Sequence, residues 1–227
     1  MPDPRPPDLR PADLPGDNVL SDDPASVDIE RSDVVYPGVV WDIRRDAFAY
    51  NDGTIVREYV DHTGAVAILA LDAEDRVLLI KQYRHPVRTR DWEIPAGLLD
   101  IAGEPPLLAA QRELAEEADL SAAQWDILAE FYTSPGGSDE AIRIYLARDL
   151  SATAQPFERT EEEADIEVRW VPLDDAVSAV LARRVQNPSL AIGVLAAHAA
   201  RARGWRTLGA GDAAWPRHPK SGIAALS

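Results

Sequence analysis

The sequence predicts an α+β fold in which a mixed β-sheet packs against helices, with an antiparallel β segment ahead of it. The order of patterns along the chain supports this, because a β-rich part is followed by a helix, three strands and two helices. From residue 34 to 62 the apolar residues nearly alternate, and Asn51-Asp52-Gly53 interrupts them. Asp-Gly between two strand-like runs is typical of a β-hairpin.

Further strands follow from short apolar runs. Residues 64–72 and 76–84 are rich in Val, Ile and Leu, and the acidic stretch 72–75 between them predicts a second hairpin. Two more runs, 127–133 and 141–150, flank the loop "SPGGSDE", and residues 166–173 form a last predicted strand.

Three helices are predicted, over residues 105–118, 174–184 and 188–203. Asp174 is the expected N-cap of the second helix. In the third, Asn187 is the expected cap and Pro188 occupies the first helical position, where its missing N–H costs nothing.

The chain divides into four predicted parts. Residues 1–30 form a disordered Pro-rich arm, since seven of the 18 prolines fall within the first 27 residues. Residues 31–60 form the N-terminal β segment, residues 61–204 the main domain, and residues 205–227 an irregular C-terminal tail in which Trp215 suggests one docking contact.

Composition excludes several classes of protein. The net charge of −16 argues against general nucleic-acid binding, which needs clustered Lys and Arg. The absence of cysteine excludes disulfides, zinc–thiolate sites and cysteine nucleophiles. No apolar run is long enough to span a membrane, and the N-terminus lacks the features of a signal peptide, so we expect a soluble cytoplasmic protein.

The first predicted helix carries an unusual concentration of acidic residues. On a helical wheel its apolar residues form one stripe at spacings of three and four: Leu107, Ala110, Leu114 and Ala118. Glu113, Glu116 and Glu117 share the neighbouring arc, beside Arg112. Two carboxylates about 5 Å apart repel by roughly 3 kcal/mol at an effective dielectric constant near 20. Either this arc is a solvated surface, or a hard divalent cation such as Mg²⁺ binds there.

The spacing of these charges decides between the two. Residues 97–120 resemble the Nudix box, G-x5-E-x7-R-E-U-x-E-E-x-G-U with U apolar, and the match includes every charged position: Glu104, Arg112, Glu113, Glu116 and Glu117. There are two departures. Gly97 stands one residue further from Glu104 than in the general pattern, and Asp119 replaces the closing glycine. Asp tolerates the left-handed conformation better than most residues, so we expect a stability cost without lost chemistry.

The resemblance implies a role for each residue of the box. It implies Glu113 and Glu117 as principal ligands of Mg²⁺ (or Mn²⁺), Glu116 as an additional ligand, the carbonyl of Ala96 as a backbone ligand, Arg112 as the group that orients the cluster, and Glu104 as a supporting carboxylate. The reaction implied for the family is hydrolysis of a nucleoside diphosphate linked to another group.

Two further stretches, "RDWEIPAGLLD" and "TSPGGSDE", resemble the ADP-ribose pyrophosphatase branch of that family, including Pro135 after the box. The resemblance covers roughly residues 32–203. It implies hydrolysis of ADP-ribose to AMP and ribose 5-phosphate. The alternatives are the same chemistry on another nucleotide sugar, such as ADP-glucose or GDP-mannose, and a non-catalytic Nudix-fold ligand sensor.

Outside the box, the branch implies a glutamate base on a late loop, where residues 161–163 are all glutamate. Glu162 matches best and Glu163 comes second, with an acidic surface loop as the alternative. Arg57 and Arg84 match positions of the branch that contact ADP-ribose, and at strand ends they could bind phosphate in a bidentate manner. For each, a surface salt bridge is the alternative.

The remaining predictions concern recognition of the adenine and contact with a second subunit. Glu93 is a candidate for hydrogen bonding to the adenine amino group or a ribose, and Tyr36 and Trp41 are candidates for stacking on adenine, with core or interface packing as the alternative. The resemblance also implies a homodimer in which residues 34–60 are exchanged between subunits. The histidines show no ligand spacing and receive no role.

Overall fold

The computed structural model describes residues 20–154, 157 and 166–221, and within them the chain forms eleven strands and three helices. In chain order they are β1 (Ile29–Tyr36), β2 (Asp42–Tyr50), β3 (Gly53–Asp61), β4 (Ala65–Ala70), β5 (Arg76–Arg84), β6 (Thr89–Glu93), β7 (Ala96–Leu98), α1 (Pro106–Ala118), β8 (Leu120–Tyr132), β9 (Ala141–Ala152), β10 (Glu167–Pro172), α2 (Leu173–Leu181), α3 (Pro188–Ala202) and β11 (Gly209–Ala210). None of these helices is both long and apolar enough to cross a membrane.

The central element is a five-stranded mixed sheet in the order β11-β8-β9-β4-β7, in which only β4 and β9 run parallel. All six residues of β4 are buried, because both faces of the sheet are covered. Val66 and Ile68 belong to the core that includes α1, whereas Ala67 and Leu69 belong to the core that includes α2 and α3. The predicted mixed sheet between helices is confirmed.

The N-terminal β segment forms a separate antiparallel sheet in the order β1-β2-β3. The hairpin predicted at Asn51-Asp52-Gly53 joins β2 to β3, with Asn51 at a φ of 52°. Asn accepts this left-handed conformation more readily than most residues, which explains the turn sequence.

The second predicted hairpin is confirmed at its turn and wrong in its strand pairing. Leu71 and Val77 form an antiparallel bridge and the N–H of Asp72 donates to the carbonyl of Arg76, but β4 and β5 belong to different sheets. β4 pairs with β9 along one edge, and β7 occupies the first half of the other edge, at residues 65–67. β5 instead pairs with β6 and β10 in a third, antiparallel sheet.

The predicted cap of the second helix is also wrong, whereas that of the third is confirmed. β10 runs directly into α2, so Pro172 is the N-cap and Asp174 lies in the first turn, where its carboxylate binds Arg201 of α3 instead. In α3, Asn187 Oδ1 accepts a hydrogen bond of 3.0 Å from the N–H of Leu190, with Pro188 at the first helical position.

The C-terminal tail is attached to the domain through Arg143 of β9. This arginine is 2% exposed, and it donates hydrogen bonds of 2.8 and 3.0 Å to the carbonyls of Ala213 and Ala214. Its guanidinium carbon lies 4.7 Å from the ring centroid of Trp215, a cation–π contact. Trp215 is buried, which is consistent with the docking contact expected from the sequence.

A second attachment lies at Lys220. Its ammonium group binds the carboxylates of Asp61, at the end of β3, and of Asp139, the latter at 2.7 Å. Burial lowers the pKa of Lys220, but Asp139 and Asp61 outweigh it and hold that pKa above its ordinary value. The loop 133–140 is also bonded to β3, because the N–H of Val60 donates to Gly137 and the N–H of Asp139 donates to Val60.

Candidate functional site

Arg112 on α1 forms hydrogen bonds with three of the acidic residues of the box. The Arg112 guanidinium donates to Glu104 at 3.2 and 3.0 Å, to Glu113 at 2.6 Å and to Glu116 at 3.1 Å. The hydrogen bond with Glu104 raises the pKa of Arg112, and that same bond lowers the pKa of Glu104. Arg112 therefore stays charged and offsets the repulsion among the carboxylates, in line with the orienting role implied for it.

Strand β7 supports the two most buried carboxylates of the cluster. Glu113 and Glu117 are 9% and 4% exposed. The N–H of Ala96 donates to Glu117 Oε2 at 2.9 Å. A Cβ atom at Gly97 would lie 2.0 Å from the carboxyl carbon of Glu113, so only glycine leaves room for that side chain. The box glycine on β7 is thus required by the position of Glu113 on α1.

The cluster has the chemistry of a divalent-cation site. Three carboxylates on one helix, beside a strand backbone, are the oxygen donors that hard cations prefer. In the described part of the chain, however, no three acidic or histidine side chains converge at ligand distances. Arg112 and the Ala96 N–H bind these carboxylates instead. The residue types fit a divalent ion, and an ion at this position would compete with Arg112 for Glu113 and Glu116.

The helix ends as the sequence suggested. Asp119 follows α1 with φ 55° and ψ 34°, the left-handed conformation expected where the box pattern has glycine. Its N–H donates to the carbonyl of Ala115 at 3.0 Å, and its carboxylate accepts a hydrogen bond of 2.7 Å from the N–H of Phe157. The Asp119 side chain therefore makes a hydrogen bond that a glycine at this position could not make.

A cavity of about 540 Å³ adjoins the cluster and shares Ala96 and Gly97 with it. Arg84 and Glu93 form one wall, joined by a bidentate pair in which Arg84 Nε and Nη2 donate at 2.8 and 2.7 Å. Glu93 is buried and Arg84 is partly exposed, so the carboxylate holds the guanidinium at the cavity surface. The structure brings these two predicted residues together beside the box.

Of the two predicted aromatic residues, the structure brings one to the cavity. Trp41 lines it and stacks on His62, with ring centroids 4.0 Å apart and an interplanar angle of 25°. Tyr36 ends β1 and is 64% exposed. Arg57 lies in a different cavity of about 430 Å³, against the loop that contains Pro135. Within a single chain, Tyr36 and Arg57 therefore stand apart from the carboxylate cluster.

The comparison with known sequences identifies the family, since residues 61–191 match the NUDIX domain. The chain belongs to the Nudix family. The ADP-ribose pyrophosphatase of Mycobacterium tuberculosis (strain ATCC 25618 / H37Rv) is 46% identical over 169 residues, which cover 74% of this chain and 81% of that protein. The ADP-ribose pyrophosphatase of Bacillus subtilis (strain 168) is 38% identical over 161 residues, 70% of this chain and 86% of that protein.

Solved structures support the same fold. A crystal structure of an ADP compounds hydrolase aligns with a TM-score of 0.62 over 81% of this chain and 99% of that one. Its sequence identity is 20%, so the likeness concerns the fold alone. The Nudix fold predicted from the box is confirmed.

The cavity of this Nudix protein also includes residues that the sequence did not single out. His62, Thr133 and Glu140 line it, together with Ser189 at the start of α3. The sequence feature that could have pointed to them is their place at strand ends, since His62 directly follows β3 and Glu140 directly precedes β9. The predicted bases Glu162 and Glu163 lie outside the described residues.

Proposed function

We propose that this Nudix protein hydrolyses ADP-ribose to AMP and ribose 5-phosphate, with Mg²⁺ as cofactor and Mn²⁺ as a substitute. The observation that carries the proposal is the shared backbone of Ala96 and Gly97, which contacts the box carboxylates and also lines the 540 Å³ cavity. A diphosphate next to the box would thus have room for the groups attached to it. The two relatives named ADP-ribose pyrophosphatase support the choice of substrate.

In this mechanism Glu113, Glu116 and Glu117 would hold the ion, with the Ala96 carbonyl as a further donor. When bound, a divalent ion supplies positive charge to phosphate oxygens and makes a water molecule more acidic. Such charge is needed because the protein itself carries a net charge of −16 and repels a diphosphate. Arg84 supplies a second positive group, and its pairing with Glu93 fixes the direction of the guanidinium.

The remaining steps concern water and the base. A water oxygen attacks one phosphorus of the anhydride, the bridging P–O bond breaks, and the water proton passes to a carboxylate. The sequence assigns that carboxylate to Glu162, with Glu163 as second choice. Trp41 offers a flat ring in the cavity for stacking of adenine. Contact between Glu93 and the substrate stays a prediction, since its oxygens bind Arg84.

The experiment is chromatography of the products from ADP-ribose, ADP-glucose and GDP-mannose, with Mg²⁺ and with chelator. We expect AMP and ribose 5-phosphate from ADP-ribose, preferentially and only with the metal. Faster cleavage of ADP-glucose or GDP-mannose would support diphosphate hydrolysis but contradict ADP-ribose as the preferred substrate. No cleavage of any of the three, with metal still bound, would favour a ligand sensor.

We also propose that the protein is a homodimer in which the N-terminal sheet is exchanged and completes the partner's site. The sheet and its β1–β2 connection expose an unusual set of apolar side chains: Val34, Val35, Tyr36, Tyr50 and Val56 on the strands, and Val39 and Val40 in the connection. Exposed apolar patches of this kind mark interaction surfaces. Exchange would also account for Arg57 and Tyr36, which stand away from the carboxylates of their own chain.

Subunit mixing tests this arrangement. Arg57→Ala and Glu117→Gln are each expected to lose most activity as homodimers. If each site combines Arg57 of one subunit with Glu117 of the other, their mixed dimers contain one intact site. Random co-assembly in equal amounts then restores about a quarter of the wild-type rate, as half the dimers are mixed and half of their sites are intact.

The matched control pairs Glu117→Gln with Glu113→Gln. Both changes lie on α1, so every mixed site stays defective and no activity returns. An Arg57→Ala mixture that also stays inactive, although light scattering shows mixed dimers, would mean that each site is complete within one chain. A monomer in solution would exclude the exchange altogether.

A further inference from the structure

His62 has one ring nitrogen whose protonation state the backbone determines. The N–H of Gly64 donates a hydrogen bond of 2.9 Å to His62 Nδ1, so Nδ1 is the acceptor and carries no proton. A neutral imidazole then has its proton on Nε2. Nε2 lies 3.4 Å from Oε1 of Glu140, a distance at which the N–H dipole attracts the carboxylate without a short hydrogen bond.

The imidazole is held firmly in this position. His62 is 6% exposed, and its backbone N–H donates a hydrogen bond of 2.7 Å to Asp139 Oδ1. One face of the ring stacks on Trp41 at 4.0 Å. Glu140 has a second support, since Thr133 Oγ1 donates to its Oε2 at 2.7 Å. The histidine thus contacts both an aromatic wall and an acidic wall of the same cavity.

We propose that His62, as a neutral imidazole protonated at Nε2, is a positioning residue that fixes the Trp41 ring and the Glu140 carboxylate in the substrate cavity. The role rests on the proposed function. In that cavity the Trp41 ring would stack on the adenine, and the Glu140 carboxylate would accept hydrogen bonds from hydroxyl or amino groups of the substrate. His62 contacts both groups, and it is their relative placement that it sets.

The neutral form is required by the hydrogen bond to Gly64. A protonated imidazole has a donor on both nitrogens, so Nδ1–H would face the Gly64 N–H and that bond would be lost. Burial lowers the pKa of His62 below its ordinary value of 6.5, with a smaller contribution from Lys220. The carboxylates of Glu140 and Asp139 act in the opposite direction but do not outweigh burial.

The tautomer is measured first, on the full-length ¹⁵N-labelled protein, by long-range ¹H–¹⁵N correlation of the imidazole groups. The His62 signals are those absent from His62→Gln. We expect a protonated Nε2, a bare Nδ1 and a titration midpoint below 6.5. A proton on Nδ1, or a midpoint at or above that value, would overturn the proposal. This measurement does not depend on the identity of the substrate.

Kinetics then test the positioning. His62→Phe keeps a ring beneath Trp41 but removes both nitrogens, and we expect KM for ADP-ribose to rise about tenfold, the effect of one lost polar contact, with kcat changed less than twofold. His62→Gln, which returns a donor toward Glu140, recovers part of KM. His198→Gln, at an exposed histidine, is the control and leaves KM unchanged. An unchanged KM in His62→Phe, or a loss confined to kcat, would contradict the role. If wild type does not cleave ADP-ribose, the proposed function fails and the NMR result alone decides this proposal.

Discussion

Replacing Glu117 with glutamine lowers kcat/KM for ADP-ribose by about a thousandfold, equivalent to about 4 kcal/mol of transition-state stabilisation. Glu117 is the most buried of the three box carboxylates, and glutamine has its shape without its charge. The amide oxygen of glutamine still accepts the Ala96 N–H, so the contact between α1 and β7 remains. The loss therefore reports the charge that a divalent ion needs.

Two measurements separate this effect from unfolding. The melting temperature of Glu117→Gln is expected to equal or exceed that of wild type, because Glu113 and Glu117 are like charges one helical turn apart. Mn²⁺ affinity, followed by electron paramagnetic resonance, is expected to fall in parallel with activity. Glu74→Gln, at an exposed glutamate in the turn before β5, serves as control. Wild-type turnover and Mn²⁺ binding in Glu117→Gln would remove this residue from the metal site.

Replacing Gly97 with alanine lowers activity by about a hundredfold, a loss that a 1 Å misplacement of catalytic groups can cause. The new Cβ would lie 2.0 Å from both Cδ and Oε1 of Glu113, whereas real Cβ contacts shorter than 3.0 Å essentially never occur. Glu113 must move, and its carboxylate, which Arg112 now holds at 2.6 Å, cannot keep its present position.

The fold is expected to survive this change, because the displaced group is the far end of a flexible side chain. Circular dichroism and melting temperature should stay close to those of wild type while turnover falls. Gly53→Ala is the matched control, since a Cβ there meets nothing within 4 Å. Full activity in Gly97→Ala would show that Glu113 can shift without harm, and its place as a principal ligand would then be in doubt.

The sequence was most informative where chemistry constrains spacing. The apolar spacing predicted the helix and its buried stripe, and the box predicted the left-handed Asp119, because each depends on residues a few positions apart. It was less informative about strand pairing. The pairing of β4 with β9 joins residues more than seventy positions apart, and the competition for the edges of β4 cannot be seen in the local pattern that suggested a hairpin with β5.

The cavity shows the same limit. Arg84 and Glu93 were each predicted to contact the substrate, but their mutual bidentate pair depends on the register of β5 against β6. His62 was assigned no role, since a lone histidine after a strand carries no spacing signal. The role proposed for it rests on contacts with Trp41 and Glu140, which come from separate parts of the chain.

The attachments of the loop 133–140 bear on the entropy of binding. Backbone hydrogen bonds tie this loop to Val60, and Lys220 ties Asp139 to the end of β3. Thr133 and Glu140, at its two ends, also bond each other. A wall that is already ordered before the substrate arrives loses little conformational freedom on binding, whereas a mobile loop loses about 0.5–1.5 kcal/mol per side chain immobilised. More of the contact energy made at this wall is therefore left to discriminate among nucleotide sugars.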